Sequence, residues 1–522
     1  MRITKPSAGI SAAKTTSSAK ATVAPTETSS DKKAAQPTAT STEQSAKPSS
    51  SSFATRLRKR IFCAIAFVLV VCALNTLCMR IFIPYASWSF INWDAYHEAP
   101  QVTELITGSS FAERDIQSPM LASELGEETY NIAVPYQSIE DSFSAIQQAK
   151  ETRNIRSVIL GVRYESFTKD PAQGIKTHSI FSTAAYKLQH PKAFLDDFFN
   201  TVLNPKTIKT PDSINYAFPW IYHMSNTDKG IVQNIYDWLS GKSRVASCFE
   251  QFPNWHYLGY GYGNYTGHQD FTENDQGGTH SLPLGDLDPT IVEHFRKICT
   301  YCKDNNIRLN VVSVPHQSFD IVSFGDRYPE VMRPLQAIAE GSGARWIDFN
   351  LMRDNEYRNT PDDFVDSEHL NLRGAQKLTR VLADILKSDD PDKQQRTLMY
   401  SYDEWGQVAA SYRGVRLVRV SKYVENGVVQ GKITGYYAAG TPARYQILAK
   451  KIDPSNMGRH AHFAAQAAFD TDNNYRVVRD WSSDTDFSIS GLEPGSYSFI
   501  VRATPTMPSL PDQTYCRFVA NV

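Results

Sequence analysis

An uncharged apolar run near the N-terminus places the strongest constraint on how this chain folds. Residues Ile61 to Met79, IFCAIAFVLVVCALNTLCM, contain no charged side chain. A helix needs about 20 such residues to cross a hydrocarbon core of roughly 30 Å. A polar stretch of 60 residues precedes the run, whereas a cleaved signal peptide has only a short charged start. The pattern therefore predicts an uncleaved transmembrane helix over residues 61–83.

The residues that flank this run predict its orientation. Four basic side chains adjoin its N-terminal side, namely Arg56, Arg58, Lys59 and Arg60. Basic residues are enriched on the cytoplasmic side of a span, and aromatic residues such as Trp88 and Trp93 suit the opposite interface. Residues 1–60 are rich in Ser, Thr, Ala and Lys, and they bury too little apolar surface to fold. We expect a disordered cytoplasmic tail, a single pass through the cell membrane, and an extracytoplasmic remainder.

Charge and cysteine content exclude some classes of function. The formal net charge is -1, so no basic excess points to nucleic acid. Three of the seven cysteines lie in the apolar run. The cysteines that remain elsewhere are too few for a disulfide framework. Cys299 and Cys302 form a CxxC pair within an apparent helix, Ile291 to Asn305. No second ligand pair is nearby, so thiols on a helix face are favoured over a redox or zinc site. No cofactor or metal is expected.

Residues 101–388 alternate short apolar runs with amphipathic stretches, which is typical of a parallel sheet buried on both faces. The predicted strands are Val102 to Thr107, Tyr130 to Val134, Ser157 to Val162, Ile307 to Val314 and Ala344 to Asp348. The predicted helices are Ile139 to Thr152, Pro289 to Asn305, Pro329 to Gly341 and Leu372 to Leu386. This order predicts an α/β domain with a doubly wound sheet of flavodoxin-like type. An insertion at about 167–285, rich in aromatic residues, interrupts the alternation of strands and helices. We expect it to cover a functional site.

The C-terminal part has a different period. Asp389 to Arg396, DDPDKQQR, is charged and contains a proline, which favours a linker. Residues 397–522 then contain seven short β-like runs separated by turn residues, which predict an all-β sandwich. Within it, FSISGLEPGSYSFIVRA (487–503) resembles the late hairpin of fibronectin type III and related Ig-like modules. A binding or spacer role is expected for this domain.

Candidate catalytic residues lie at the two ends of the α/β domain. Ser110, in ITGSSFAERDI, follows the first strand, where open α/β sheets place their ligands. Asp366 and His369, in FVDSEHLNLRGAQKL, precede the last helix, which Asn371 is expected to cap. An Asp three residues before a His on one short loop can orient the imidazole. These are the parts of a Ser, Asp, His triad.

The phrases GSSFAERDI, YNIAVPYQSIEDSF and DSEHLNLRGA make residues 101–388 resemble the SGNH or GDSL hydrolases. The resemblance implies that Ser110 is the nucleophile and that Asp366 and His369 complete the triad. It also implies part of an oxyanion hole from the backbone N–H of Ser110. More narrowly, the chain resembles the membrane-anchored branch involved in O-acetylating extracellular polysaccharides and D-alanylating teichoic acids. That branch typically has a membrane-bound O-acyltransferase as partner.

The resemblance departs from the family at two positions. Tyr136 stands where a glycine of the second block normally donates to the oxyanion, and Arg163 stands where an asparagine of the third block donates. Arg163 is either a substitute donor or a structural ion-pair partner of Glu165 or Asp366. Loss of one donor costs about 2.7 to 4 kcal/mol of transition-state stabilisation. The function predicted is an esterase or O-acyltransferase acting on envelope polysaccharide; the alternative is a catalytically degenerate binding subunit that partners the acyltransferase.

Overall fold

The computed structural model describes residues 50–86, 88–168, 220–221, 231–251, 255–266, 284–316, 321, 324–353, 357, 363–365, 368–411, 415–437, 443–452, 475–505 and 514–522. The chain divides into two compact units, Met1–Leu69 and Val70–Val522. Most of the predicted cytoplasmic tail, and therefore its disorder, lies outside the described residues. Much of the predicted insertion at 167–285 also lies outside them.

The apolar run lies in helix α1 (Ser50–Phe82), which is 33 residues long. Side chains described along this helix include large exposed apolar groups, such as Phe62 and Phe67. Within the described residues, no helix combines the length and apolar character needed to cross a membrane. The predicted transmembrane helix over residues 61–83 therefore stays a prediction.

The second unit contains eleven further helices and seven strands before its C-terminal β region, counted over the described residues. The helices are α2 (Trp88–Glu98), α3 (Ser110–Asp115), α4 (Ser118–Leu125), α5 (Ile139–Thr152), α6 (Ile231–Ser240), α7 (Arg244–Gln251), α8 (Pro289–Asp304), α9 (Arg327–Gly341), α10 (Leu372–Leu386), α11 (Pro391–Leu398) and α12 (Trp405–Ser411). The strands are β1 (Glu104–Gly108), β2 (Thr129–Asn131), β3 (Ser157–Val162), β4 (Trp255–Gly259), β5 (Tyr262–Tyr265), β6 (Arg308–Ser313) and β7 (Arg345–Asp348).

Five of these strands form one parallel sheet in the order β2-β1-β3-β6-β7. Counting only the strands of this sheet, the order is 2-1-3-4-5, which is the flavodoxin-like order. The predicted α/β class with a parallel sheet is confirmed, and the predicted strands end within three residues of the observed ones. The carboxyl ends of β1 and β3 are neighbours, so the loops that follow them meet at one edge of the sheet.

The sheet is covered on both faces because its side chains alternate. Leu105 and Val158 belong to the buried cluster that includes residues of α5, α8 and α9. Ile106 and Ile159, one position further along the same strands, belong to a second cluster that includes residues of α3, α4 and α10. Successive residues of a strand point to opposite faces, so runs that are apolar at every position need two layers of helices.

Most of the segment predicted as a linker, Asp389 to Arg396, is helical, and its role as a linker stays a prediction. Helix α11 begins at Pro391, and the side chain of Asp390 accepts a hydrogen bond from the backbone N–H of Lys393. Proline is well suited to the first position of a helix, where its missing N–H is not needed. Further along, Trp405 and Val408 are buried in the cluster that covers the sheet. Side chains that follow this segment in the chain are therefore part of the α/β core.

The CxxC pair lies on α8 inside the core. Cys299 and Cys302 are both buried and neither forms a disulfide. Burial raises the pKa of Cys299 to about 11 and that of Cys302 to about 12, because the thiolate is poorly solvated there. Thiols in such surroundings are chemically inert at neutral pH. This placement agrees with the prediction of structural thiols on a helix face.

Over its described residues, the C-terminal region contains seven antiparallel strands. They are β8 (Val415–Glu425), β9 (Val428–Tyr437), β10 (Ala443–Ile452), β11 (Arg476–Ser482), β12 (Asp486–Ile489), β13 (Ser496–Pro505) and β14 (Thr514–Asn521). They form a three-stranded sheet, β12-β9-β8, and a four-stranded sheet, β11-β10-β13-β14. Val429 and Phe487 of the first sheet share a buried cluster with Tyr445 and Phe499 of the second. All seven predicted strands are observed; the fibronectin type III assignment stays a prediction.

Candidate active site

Ser110 lies at the junction between β1 and α3. Strand β1 ends at Gly108, Ser109 has extended backbone angles, and α3 begins at Ser110. The strand is buried along its whole length, so its carboxyl end is fixed in the core. Ser110 therefore lies at the carboxyl edge of the sheet, which is the position that the motif predicted.

Two glycines allow the backbone to pack closely beneath this serine. Gly108 has a φ of 140°, and a Cβ there would lie 2.3 Å from the carbonyl oxygen of Gly161. A Cβ at Gly161 would lie 2.6 Å from the Cβ of Ala112 on α3. Real atoms do not approach this closely, so both positions require glycine. The close approach holds α3, and Ser110 with it, directly against β1 and β3.

His369 lies on a short loop closed by backbone hydrogen bonds. The N–H of Val365 donates to the carbonyl of His369 at 2.8 Å, and the N–H of Asn371 donates to the carbonyl of Asp363 at 2.9 Å. Asn371 then caps α10, because its side chain accepts from the N–H of Gly374 at 3.0 Å. A Cβ at Gly374 would lie 2.2 Å from the Asp363 carbonyl. The predicted cap is confirmed, and the backbone packs closely at Gly374.

The structure brings Ser110 and His369 together. The Nε2 atom of His369 lies 2.8 Å from the Oγ atom of Ser110, although 259 residues separate them in the chain. This distance is within the range required for proton transfer between a nucleophile and its base. The ring of Phe111 stacks on the imidazole with centroids 5.2 Å apart. Asp366, the third predicted member of the triad, lies outside the described residues.

Arg163, the second oxyanion candidate, is buried beside this pair. Its guanidinium lies 4.3 Å from the centre of the Phe111 ring and donates to the carbonyl of Pro315 at 2.7 Å. Within the described part of the chain, no ion pair joins Arg163 to Glu165. Arg163 thus contacts the aromatic ring that supports His369, and no hydrogen bond to Ser110 or His369 is formed by it.

Tyr136 has a left-handed backbone conformation, which favours glycine. Its φ is 63°, one of four positive values among the described non-glycine residues. Its side chain is 49% exposed, so the side chain does not fill the core. The left-handed conformation costs a non-glycine residue about 1 kcal/mol or more. A tyrosine therefore occupies a backbone position that would suit glycine better.

His316 follows β6 and lies near Arg163, which donates a hydrogen bond to the carbonyl of the preceding residue, Pro315. It is buried, its ring stacks on Tyr164 with centroids 4.9 Å apart, and its backbone N–H donates to Asn350. Burial, and then the nearby Arg163 charge, hold the pKa of His316 well below its ordinary value. Its Nε2 lies 3.5 Å from a Glu165 oxygen, but the neutral ring makes this a polar contact and not an ion pair. His316 is therefore a histidine packed within a loop.

Glu113 is a buried carboxyl group on α3 that the sequence did not single out. Burial raises its pKa to about 7, and the Arg114 guanidinium at 3.8 Å offsets only part of that rise. The unfolded chain therefore loses this proton at lower pH than the folded chain does. Between about pH 4.5 and pH 7 the folded state holds more protons, so its stability falls as pH rises.

We expect Glu113→Gln to raise the free energy of unfolding at pH 8, because an uncharged amide avoids the cost of ionisation. The pKa rise, from 4.5 to about 7, sets an upper limit of about 3 kcal/mol for this gain. The gain should shrink towards pH 5 and disappear below it. Thermal unfolding of the full chain at both pH values measures it, with the exposed Glu128→Gln as control. A gain that is equal at both pH values would contradict this explanation.

No family model matches this chain, and no curated protein matches it. Among solved structures, a GDSL-like lipase from Bacteroides thetaiotaomicron VPI-5482 is similar to it, with 8% identical residues and a TM-score of 0.26. The match covers 58% of this chain and 98% of that one. The assignment of chemistry to this chain rests on its own site: a parallel α/β sheet with a serine and a histidine in hydrogen-bond contact at its edge.

Proposed function

We propose that the α/β domain is an SGNH-type serine esterase or O-acyltransferase. The observation that carries the proposal is the 2.8 Å contact between Ser110 Oγ and His369 Nε2. A serine hydroxyl is a weak nucleophile until an adjacent base accepts its proton. Asp366, three residues before His369, is assigned the orienting role by the resemblance to the SGNH hydrolases.

The proposed reaction proceeds in two halves. Ser110 Oγ bonds to an ester carbonyl carbon while its proton passes to His369 Nε2. His369 then gives that proton to the departing alcohol oxygen as the ester C–O bond breaks, which leaves an acylated Ser110. In the second half, water or a sugar hydroxyl attacks the acyl carbon while its proton passes to His369, and His369 returns that proton to Ser110 Oγ as the bond between Oγ and the acyl carbon breaks. Stabilisation of the oxyanion is assigned to the backbone N–H of Ser110, with Arg163 as the candidate second donor.

A fluorophosphonate probe tests this proposal on the full chain. Attack by Ser110 Oγ on the phosphorus expels fluoride and leaves a covalent adduct, which peptide mass spectrometry locates. We expect a single adduct at Ser110 that is absent from Ser110→Ala and strongly reduced in His369→Gln. If the folded wild-type chain remains unlabelled, the esterase proposal is wrong.

The acceptor we propose is a hydroxyl of a cell-envelope polysaccharide, with a membrane-bound O-acyltransferase as partner. This rests on the resemblance to the membrane-anchored branch of the family. Acylation of purified envelope polysaccharide, measured as released or incorporated acetate, distinguishes the transferase from a simple esterase. If the chain hydrolyses small esters but does not acylate polysaccharide, the acyltransferase proposal is excluded.

The second candidate is a binding subunit that presents polymer to the acyltransferase. Tyr136, Arg163 and the C-terminal sandwich motivate it, because Tyr136 and Arg163 stand where SGNH hydrolases carry the glycine and asparagine that donate to the oxyanion. Genetic complementation separates the candidates: a binding subunit should tolerate Ser110→Ala and His369→Ala with unchanged envelope acylation, whereas an enzyme should not.

We also propose that residues 61–83 anchor the chain in the cell membrane with the N-terminus in the cytoplasm. The uncharged run Ile61 to Met79 and the exposed apolar side chains of α1 support this. Alkaline carbonate should leave the full chain in the membrane pellet and should release a chain that begins at residue 84. Release of the full chain would argue against the anchor.

The C-terminal sandwich is proposed to be a fibronectin type III-like spacer or binding module. Its three-stranded and four-stranded antiparallel sheets, whose apolar side chains share one buried cluster, support this assignment. Removal of residues 412–522 should leave hydrolysis of a small soluble ester unchanged if the module acts only on polymer binding or spacing.

A further inference from the structure

A β-hairpin from the insertion packs against the proposed active site. Strands β4 and β5 pair antiparallel, with Trp255 opposite Tyr265. At the hairpin's turn, the carbonyl of Tyr260 accepts hydrogen bonds from the N–H of Asn131, at the edge of the sheet, and from the hydroxyl of Ser118. A Cβ at Gly261 would lie 2.1 Å from the Asn131 carbonyl, so the turn is in direct contact with the sheet. The hairpin is thus docked on the α/β core.

The fully buried side chain of Asn264, on β5, contacts both segments that carry the proposed catalytic residues. Its Nδ2 donates to the carbonyl of Arg114 on α3 at 2.9 Å and to the carbonyl of Leu370 at 3.3 Å. Its Oδ1 accepts from the N–H of Tyr265 at 2.7 Å, which fixes the orientation of the amide. Arg114 lies on the helix that begins at Ser110, and Leu370 directly follows His369.

The backbone N–H of Leu370 also has a hydrogen-bond partner, and this partner lies on α3. Its N–H donates to the Oδ1 of the buried Asp115 at 2.9 Å. Both polar groups of the residue next to His369 therefore have partners that are fixed relative to Ser110. The hydroxyl of Tyr262 adds a further bond from the hairpin to the Arg114 carbonyl, at 3.0 Å. Buried hydrogen bonds therefore connect α3, the loop that carries His369 and the β4–β5 hairpin with one another.

We infer that Asn264 is a positioning residue that holds Ser110 and His369 at their reactive separation, so that the β4–β5 hairpin is part of the catalytic apparatus. This inference rests on the proposed esterase function. A reactive pair must be held within about 0.5 Å of its productive geometry, and a displacement of about 1 Å costs on the order of 100-fold in rate. Backbone hydrogen bonds at the residue adjacent to the base provide that restraint.

Asn264→Asp tests the inference at pH 8, because an ionised carboxylate keeps the acceptor for Tyr265 but cannot donate to the two carbonyls. We expect kcat for a small soluble ester to fall by about 10- to 100-fold, with KM changed less than about two-fold because no substrate contact is altered. The matched control is Asn305→Asp, an exposed asparagine that also donates to a backbone carbonyl, that of Tyr301. The control should retain wild-type kcat.

Hydrogen exchange of the Leu370 amide provides a readout that does not depend on activity. We expect exchange to be at least about ten-fold faster in Asn264→Asp than in wild type, and unchanged in Asn305→Asp. If Asn264→Asp does not fold, Tyr262→Phe removes one bond of the same set, and a smaller change in the same direction is expected. Both variants are made in the full chain.

The outcomes separate this inference from the proposed function. Unchanged Leu370 exchange in a folded Asn264→Asp variant overturns the inference, whether or not kcat falls. A general rise in exchange across the sheet strands, with kcat and KM both affected, also overturns it, because Asn264 would then be merely structural. If wild type neither hydrolyses esters nor reacts with the fluorophosphonate, the proposed function fails; selectively faster Leu370 exchange would still support the restraint.

Discussion

Ester hydrolysis by the full chain should fall by about 10⁴-fold or more when Ser110 is replaced by alanine, because no other group takes over nucleophilic attack. His369→Gln should cause a loss of similar size, since the 2.8 Å contact makes serine and histidine one functional unit. The double variant should be no worse than either single variant. Initial rates with a small acetyl ester measure all three.

Ser109→Ala is the matched control for this prediction. The two serines are adjacent, but the Ser109 Oγ is buried without a hydrogen-bond partner. Its removal should leave the rate within about two-fold of wild type, and should cost little stability since no bond is lost. Equal loss in Ser109→Ala and Ser110→Ala would mean that the GSS motif is structural and that Ser110 is not the nucleophile.

Gly108→Ala should lower the free energy of unfolding by about 3 kcal/mol or more, through steric overlap and backbone strain together. The added Cβ would lie 2.3 Å from the Gly161 carbonyl, a backbone atom that cannot move without separating β1 from β3. Any chain that still folds should have lost most of its esterase activity, because Ser110 lies two residues away. Thermal unfolding and initial rates measure the two effects.

Gly126→Ala provides the comparison, because Gly126 also has a positive φ, 67°, but open space around its Cβ position. This variant should cost only about 1 to 2 kcal/mol of backbone strain and should retain activity. Equal destabilisation at the two positions would show that backbone strain alone, and not the close approach to Gly161, makes glycine necessary at position 108.

The local patterns of this chain were sufficient to predict most of its regular elements. Ile139–Thr152, Ser157–Val162 and Leu372–Leu386 begin and end where the sequence predicts. These segments have continuous apolar strands or strong amphipathic periods, signals that depend only on neighbours in the chain. The helix at Pro391–Leu398 was not predicted, because charge and a proline are features both of a linker and of an exposed helix start.

The candidate site was predictable where its residues lie in recognisable motifs. Ser110 and His369 were identified from the GSS and DSEHLN segments, and their contact is observed. Asn264 was not identified, because its importance arises from two carbonyl groups that belong to distant segments. A buried asparagine in an aromatic-rich insertion has no local signal that separates it from a surface asparagine.

The sequence by itself determined most of the regular elements of this protein, the order in which strands and helices alternate in the α/β domain, and the types of residue available for chemistry. These depend on side-chain period, turn residues and short motifs, all of which act within a few residues. Only the tertiary structure decided that His369 meets Ser110, that Phe111 supports the imidazole and that the hairpin joins the two loops. Such contacts depend on how sheet edges and loops pack in three dimensions, where a shift of about 1 Å decides whether two groups react.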